Sequence, residues 1–570
     1  MKKLIKMYSV LFLVTSFSCA SFSQDKSFTD IQIKDSIQSL YGVKRYTQAT
    51  ELADVYLKKN PYDYEVIYLK GILAYSLKDW KKAIHYFNGS IQNGYNIAEA
   101  QYNTACCYAL QGNKTEAVTW LKSAINSLPS FYYQWMEDSD LQILANEAKY
   151  LNEIHSYNRE AKDRKTQWQA DLAFYNDRMK QFHFNLFSKI SEKEWDAKIT
   201  KLHNEVGTLN DNEIIVRLMK LAAIVGDGHT MLVPPISEKF NFKMSPFLTY
   251  IFDDGVYILE VQKNYKQLLG SKLTAINGLP IDSVLQKIKT IIPSDNEYGN
   301  KWLQPLVLNI PQLLYGLNII DKKTEYTISY TKDGKQNMAN IKCEISLNGD
   351  FLESWIYGFH NLEGWSKVNQ SIIPSSQTNR EKPYWFAYDK ENQIVIFHYN
   401  QVQTDESENE ATFIKRLNDF ITNNPVKALV VDLRYNEGGD NTIYRPILNG
   451  IISNEKVNQK NKLFVLIGRR TFSAGMCFAT ELEKSTNAIF VGEPTGSSPN
   501  FVGESGGVFQ LPYSGIYVNA SNLYWQNSFA FDNRKFISPD VYVKQLIEDY
   551  INGKDAPLDT IKKLLEMNQN

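Results

Sequence analysis

Apolar and polar positions divide this chain into three regimes. From about residue 27 to 130 apolar side chains recur at helical spacing, and the pattern repeats. Ala49, Ala83 and Ala117 are each 34 residues apart, and a polar turn segment precedes each one (K-R-Y-T-Q-A, K-D-W-K-K-A, G-N-K-T-E-A). Gly71 and Ala105 fall on the first helix of successive units, Phe87 and Leu121 on the second, and Pro61 and Pro129 stand two periods apart. A fixed period of this length predicts stacked helical hairpins, each burying against its neighbour what it cannot bury alone. The first unit departs from the pattern, with Ile37 where a small residue should be. Residues 138–164 continue as charged helix, and helical periodicity returns over 168–187, 192–203 and 212–225.

In the second regime, residues 240–346, short β-branched and aromatic runs alternate with turn signals. Tyr250-Ile251-Phe252 and Val256-Tyr257-Ile258-Leu259 flank Asp253-Asp254-Gly255, and Leu273-Thr274-Ala275-Ile276 runs into the tight-turn pair Asn277-Gly278. The third regime, to the C-terminus, mixes buried strands with amphipathic helices. Residues 394–399, Ala428-Leu429-Val430-Val431 and 464–467 read as strands and residues 411–421 as a helix, an α/β arrangement whose strand-end loops collect functional groups.

Composition narrows the function. At 570 residues the chain exceeds a single core. Its 62 basic and 63 acidic residues nearly cancel and form no long run of one sign, which argues against a nucleic-acid partner. Cys19, Cys106, Cys107, Cys343 and Cys477 show neither metal-ligand spacing nor the density of a disulfide scaffold, so no metal site is expected. Lys2, Lys3 and Lys6 precede an apolar run over 7–14 and a small-residue cluster, the form of an export signal. Ser21 and Ser23 place cleavage near Gln24, and the mature protein is expected in the periplasm or outside the cell. Cys19 could instead carry lipid, but Ser16 stands where a lipobox wants leucine. No later segment reaches the roughly 18 uninterrupted apolar residues of a membrane span.

Candidate chemistry lies at two places. In K-L-F-V-L-I-G-R-R-T-F-S-A-G-M-C-F, residues 462–478, Ser473 sits where a strand turns into a helix. Unpaired amides at a helix N-terminus can hold an oxyanion beside a nucleophile there. In G-D-G-H-T-M-L-V-P-P, residues 226–235, Gly226 and Gly228 make a turn from which His229 emerges with room around it.

The 34-residue period resembles the tetratricopeptide repeat. L-L-G-S-K-L-T-A-I-N-G-L-P-I, residues 268–281, resembles a PDZ domain of bacterial processing proteases. Three strings in order, G-D-G-H-T, D-L-R-Y-N-E-G-G and T-F-S-A-G followed by V-G-E-P-T-G, resemble the tail-specific, or C-terminal processing, serine peptidases related to the tricorn core. The resemblance implies a multidomain α and α/β protein: a signal peptide (1–23), a tetratricopeptide array (27–130), a helical linker (131–165), and a helical part of the peptidase region (166–239). A PDZ-like insert (240–346) and a crotonase-like, ββα-spiral α/β catalytic domain (347–570) follow. It implies Ser473 as nucleophile and an oxyanion hole from Ala474 with Gly438 or Gly439. Many members place a lysine base where this chain has Ser498. The tricorn-like branch uses a histidine upstream of the PDZ module instead, the position of His229. Its third member is an acidic residue after the nucleophile, for which Asp532 is the candidate and Glu493 and Asp540 are alternatives.

The expected activity is peptide-bond hydrolysis by acyl transfer, without cofactor or metal. The substrate would be a peptide or protein, and the array would offer a surface for a protein partner. Met476 leaves open a peptide-binding scaffold without turnover, since related proteases often carry glutamate three residues after the nucleophile. An α/β-hydrolase esterase is disfavoured because T-F-S-A-G lacks the first glycine of G-x-S-x-G.

Overall fold

The computed structural model describes residues 28–128, 131, 134–135, 138–145, 161–236, 239–349, 364–368, 373–504 and 506–567. The signal segment, Cys19 and Pro129 lie outside these residues, as does most of the charged helix expected over 138–164. The chain divides into two units, Met1–Ser127 with Trp135–Ile154, and Leu128–Gln134 with His155–Asn570.

The first unit is a helical array. Helices Phe28–Gly42, Tyr46–Lys59, Tyr64–Ser76, Trp80–Gln92, Ile97–Leu110 and Lys114–Ser127 each pack on the next. The 34-residue period is visible in its core, where Ala49, Ala83 and Ala117 are all fully buried. It is also visible in the turns, where Lys44, Lys78 and Gly112 repeat at the same spacing with φ of +61°, +60° and +78°. Gly71 allows a close approach: a Cβ there would lie 2.5 Å from the Phe87 ring. Asp63 and Asp79 cap two of the helices by accepting from Val66 N and Lys82 N. Tyr102 and Tyr75 donate to Asp138 and Asp140 beyond the last hairpin.

The second unit opens with helices Arg164–Phe182, Glu192–Glu205 and Asp211–Val225, the last two started by reciprocal capping boxes at Ser191/Glu194 and Asn210/Glu213. A seven-stranded sheet follows, in which both expected hairpin turns form. Phe247–Phe252 pairs antiparallel with Gly255–Gln262, and Asn277 and Gly278 adopt φ of +46° and +77° between Lys272–Ile276 and Leu279–Pro280. This sheet extends past residue 346, because Trp365–Lys367 pairs with the end of Gly255–Gln262.

The core is a six-stranded sheet in the order Tyr384–Asp389, Ile394–Tyr399, Ala428–Asp432, Leu463–Ile467, Ile489–Gly492, Val541–Tyr542. The first pair is antiparallel and the rest are parallel. Both faces are covered, which is why Ala428–Asp432 and Leu463–Ile467 read as unbroken apolar runs. Val395, Phe397, Leu429, Val431, Val465 and Ile467 face helices Glu410–Asn423, Arg445–Ile452 and Ser473–Ser485, while Ile396, Val430, Phe464 and Leu466 face Ala556–Met567. Because Ala428–Asp432 and Leu463–Ile467 are parallel, the loops after them leave at the same sheet edge, and there the candidate residues gather. Among the described residues no helix is long and apolar enough to cross a membrane.

Candidate active site

Ser473 begins the helix Ser473–Ser485, after Phe472 in an extended conformation (φ −144°). Its own φ is +50°, in the left-handed region, which is costly for a residue with a Cβ and persists only where surroundings impose it. They do so here. Thr471 Oγ1 donates to Leu433 O (2.8 Å) and accepts from Gly468 N (3.1 Å). Phe472 N donates to Asn436 O (3.0 Å), and Asn436 in turn donates from Nδ2 to Tyr399 O (2.9 Å) and accepts from Gly438 N (3.0 Å). Gly475 lets the helix press on this loop, since a Cβ there would meet Asn436 O at 2.5 Å.

The glycine pair Gly438-Gly439 has φ of +114° and +134°. A Cβ on Gly438 would lie 2.6 Å from Ser473 Cβ, and one on Gly439 would lie 2.2 Å from Val402 O. Gly438 N is already donated to Asn436, whereas the amides of Gly439 and Ala474 have no acceptor among the described residues. Both residues line a cavity of about 300 Å³ that also holds Ser473, His229, Phe501 and Trp525.

His229 reaches this cavity from a turn built on Asp227. Asp227 Oδ1 accepts from His229 N (3.0 Å), Thr230 N (2.6 Å) and Ser521 Oγ (3.0 Å), and its Oδ2 contacts His183 Nε2 (2.9 Å). Burial pushes the Asp227 carboxyl up, but His183 and Thr230 outweigh it and hold the group below its ordinary value. Asp295 ties the same turn to the loop that carries Ser498, accepting from Gly228 N (2.9 Å), Ser497 Oγ (2.5 Å) and Ser498 N (3.3 Å). Burial, with Asp227 nearby, pushes Asp295 up to about 6 against these donors. The imidazole is sandwiched between Phe472 (4.4 Å between centroids, 23°) and Phe501 (5.3 Å, 5°). Its Nε2 stands 3.1 Å from Ser473 Oγ. Burial lowers its pKa to about 4 although Asp227 and Glu504 pull the other way, so the ring is neutral at pH 7.

The structure thus brings Ser473, His229, Gly438, Gly439 and Ala474 together, and it does not bring Asp532 to them. Asp532 accepts from Ser528 Oγ (2.7 Å) and pairs with Arg534 (2.8 Å), which also binds Glu483 (2.7 Å). The alternatives are committed elsewhere too: Glu493 to the buried Arg469 (2.6 Å) and Asp540 to Phe490 N (2.8 Å). None of the three hydrogen-bonds to His229, whose Nδ1 is sealed from solvent without a partner among the described residues. Nearness in sequence to the nucleophile says nothing about which loop folds toward the cleft. Met476 lies in the core behind the helix, and Cys477, one helical step on, lines the cavity instead. Ser498 donates to Lys535 O (3.1 Å) and takes no part in the Ser473 contact. Asp227 and Phe472 sit inside the G-D-G-H-T and T-F-S-A-G strings without being singled out there, and Phe501 and Asp295 carry no motif signal.

No family profile and no curated protein matches the sequence. Solved structures do. A point mutant of CPAF aligns at 12% identity with a TM-score of 0.50, over 71% of this chain and 98% of that one. Mature CPAF complexed with lactacystin aligns at 14% with a TM-score of 0.48, over 71% and 99%. The photosystem II D1 C-terminal processing protease aligns at 12% with a TM-score of 0.32, over 68% and 98%. At this identity the first likeness is one of fold. The expected architecture, a helical array before a sheet-containing core of mixed α and β, is the one observed.

Proposed function

We propose that the chain is a serine-type peptidase of the tail-specific kind, exported from the cytoplasm, that hydrolyses peptide bonds through an acyl-enzyme on Ser473. The observation that carries this reading is the 3.1 Å contact between His229 Nε2 and Ser473 Oγ across 244 residues of sequence, with the serine in a left-handed conformation. Ser473 Oγ attacks the scissile carbonyl as His229 Nε2 takes its proton, and the amides of Gly439 and Ala474 hold the oxyanion. His229 then protonates the leaving amine, and water releases the acyl group by the same path in reverse. Gly438 serves by shape, because its amide is committed to Asn436. A ring with a pKa near 4 is fully available as base at neutral pH, at some loss of proton-transfer driving force.

We read the helical array as tetratricopeptide repeats that present a surface for a protein partner. The recurrence of buried alanines and left-handed turns at 34 residues supports this. We read the seven-stranded module as PDZ-like on its hairpins and the Asn277-Gly278 turn. Labelling with a fluorophosphonate probe tests the chemistry. Wild type is expected to label, and Ser473→Ala and His229→Ala are not. A wild type that stays unlabelled would leave a scaffold that keeps the fold without turnover.

A further inference from the structure

Resting on the reading that His229 is the general base, we infer that Asn519 is the residue that orients it. Its side-chain oxygen takes the Nδ1–H of the ring when substrate closes the cleft. A neutral imidazole that accepts from serine at Nε2 carries its proton on Nδ1. That atom is sealed from solvent and has no partner among the described residues, an expensive state for a buried donor. Asn519 Oδ1 is an equally sealed acceptor with no partner among them, on a residue lining the same cavity. The amide cannot be turned around, because its Nδ2 donates to two carbonyls, His229 O (2.8 Å) and Glu504 O (3.2 Å). Backbone pairing sets Asn519 opposite Met231, two residues from the histidine.

The carboxylates facing the ring are poorer candidates. Asp227 spends Oδ1 on three donors and Oδ2 on His183. Asp295 is spent on Gly228, Ser497 and Ser498. Glu504 lines the cavity and raises the proton affinity of the ring, but it is not hydrogen-bonded to Nδ1. Catalytic hydrogen bonds are often long in an unliganded enzyme and tighten in the complex. The two solvent-excluded groups of opposite sense in one cavity fit that description. Asn519 is a positioning residue in this scheme, and a carboxamide takes the place the resemblance gave to an acid.

The test uses the full chain with ¹⁵N-labelled histidine, before and after phosphonylation of Ser473 by a fluorophosphonate, which mimics the tetrahedral intermediate. A slowly exchanging low-field Nδ1–H resonance of His229 is expected in wild type and in Glu504→Gln, and its loss in Asn519→Leu. Asn519→Leu should slow labelling about 10- to 100-fold with unchanged saturation. Asn519→Asp should move the acid limb of the labelling rate up by about one pH unit and keep the Nδ1–H resonance, a pairing that a carboxylate acting on the ring through its charge alone would not produce. Persistence of the resonance in Asn519→Leu, its loss in Glu504→Gln alone, or an unmoved limb in Asn519→Asp would overturn the inference. If Asn519→Leu does not melt cooperatively, the limb and the resonance in Asn519→Asp decide together. Failure of wild type to label would sink the peptidase reading on which the inference rests, whereas a wild type that labels without gaining the resonance would overturn the inference alone.

Discussion

Two serine–histidine contacts lie among the described residues of the second unit, and they are built in opposite ways. At the first, His229 Nε2 is 3.1 Å from Ser473 Oγ and the ring stacks on Phe472 at 4.4 Å. At the second, His398 Nε2 is 3.2 Å from Ser375 Oγ and the ring stacks on Trp385, also at 4.4 Å. By connectivity the second is the fuller triad, since His398 Nδ1 lies 3.2 Å from Asp432 Oδ2. Yet Asp432 is held from both oxygens by Arg434 (2.9 and 2.7 Å). Burial pushes its carboxyl up, and Arg434 with His398 overrules this and holds it well below the usual carboxylate range. His398 is buried within its strand, and Ser375 has none of the left-handed geometry of Ser473. A serine–histidine–aspartate chain is one way of satisfying buried polar groups. Acyl transfer also needs a cavity and unspent amides aimed at the developing charge, and of these two sites it is the Ser473 site that combines them.

Cutting each serine separates the two most sharply. Ser473→Ala or His229→Ala should cost about a million-fold in turnover, as removal of a nucleophile or base does. Ser375→Ala should leave the rate unchanged in the same peptide-hydrolysis assay. A loss at Ser375 equal to that at Ser473 would erase the distinction. Next in size is Asp432→Asn, which leaves Arg434 partly unpaired in the interior and should destabilise the fold by about 3–5 kcal/mol in urea titrations. The labelling rate per folded molecule should stay the same, and its collapse at full folding would make the second triad functional.

How much of this contrast the amino-acid sequence carries depends on the range of the interactions. The array and the buried strands were legible because their signals are local: alanines at a fixed period, and apolar runs ended by glycine. Ser473, His229 and the glycine pair were legible because each sits in a string whose residues are fixed by the site. The partners of His229 were missed because the contacts that decide them span some 290 residues, as from Asn519 to His229 and from Ser521 to Thr230, and Asp532 was misplaced because Ser528 and Arg534 beside it hold it where it is. The left-handed φ of Ser473 is invisible for a similar reason, since it is imposed by Asn436 and Thr471 rather than by the serine. Trp365–Lys367 joined the seven-stranded sheet from past the expected boundary because a three-residue strand has too little pattern to announce itself.

Crowding the nucleophile without removing it is a milder probe. Gly438→Ala would place a methyl 2.6 Å from Ser473 Cβ and 2.9 Å from Ala474 N, so serine and oxyanion hole must shift together. A displacement near 1 Å costs about 100-fold in turnover. That loss should appear in kcat per folded molecule, with the melting temperature lowered as well because alanine is strained at φ +114°, whereas a loss confined to KM would mean the glycine shapes binding alone.

The smallest effect concerns pH and follows from how His229 is buried. Desolvation disfavours the imidazolium, and Asp227 and Glu504 recover only part of that, leaving the pKa near 4 against 6.5 for the free side chain. In the unfolded chain the ring takes up its proton as pH falls through about 6.5, while in the folded chain it does so only near 4. The unfolded state therefore binds more protons between these values, and the stability His229 contributes is full above the upper one and declines toward the lower. The same group sets the rate. kcat/KM should stay nearly level from pH 8 to about 5 and fall tenfold per unit below about 4, measured over a buffer series with the chain still folded. An acid limb centred at 6.5 would mean that the ring meets solvent in the working enzyme, and the aromatic sandwich of Phe472 and Phe501 would then be open when the serine reacts.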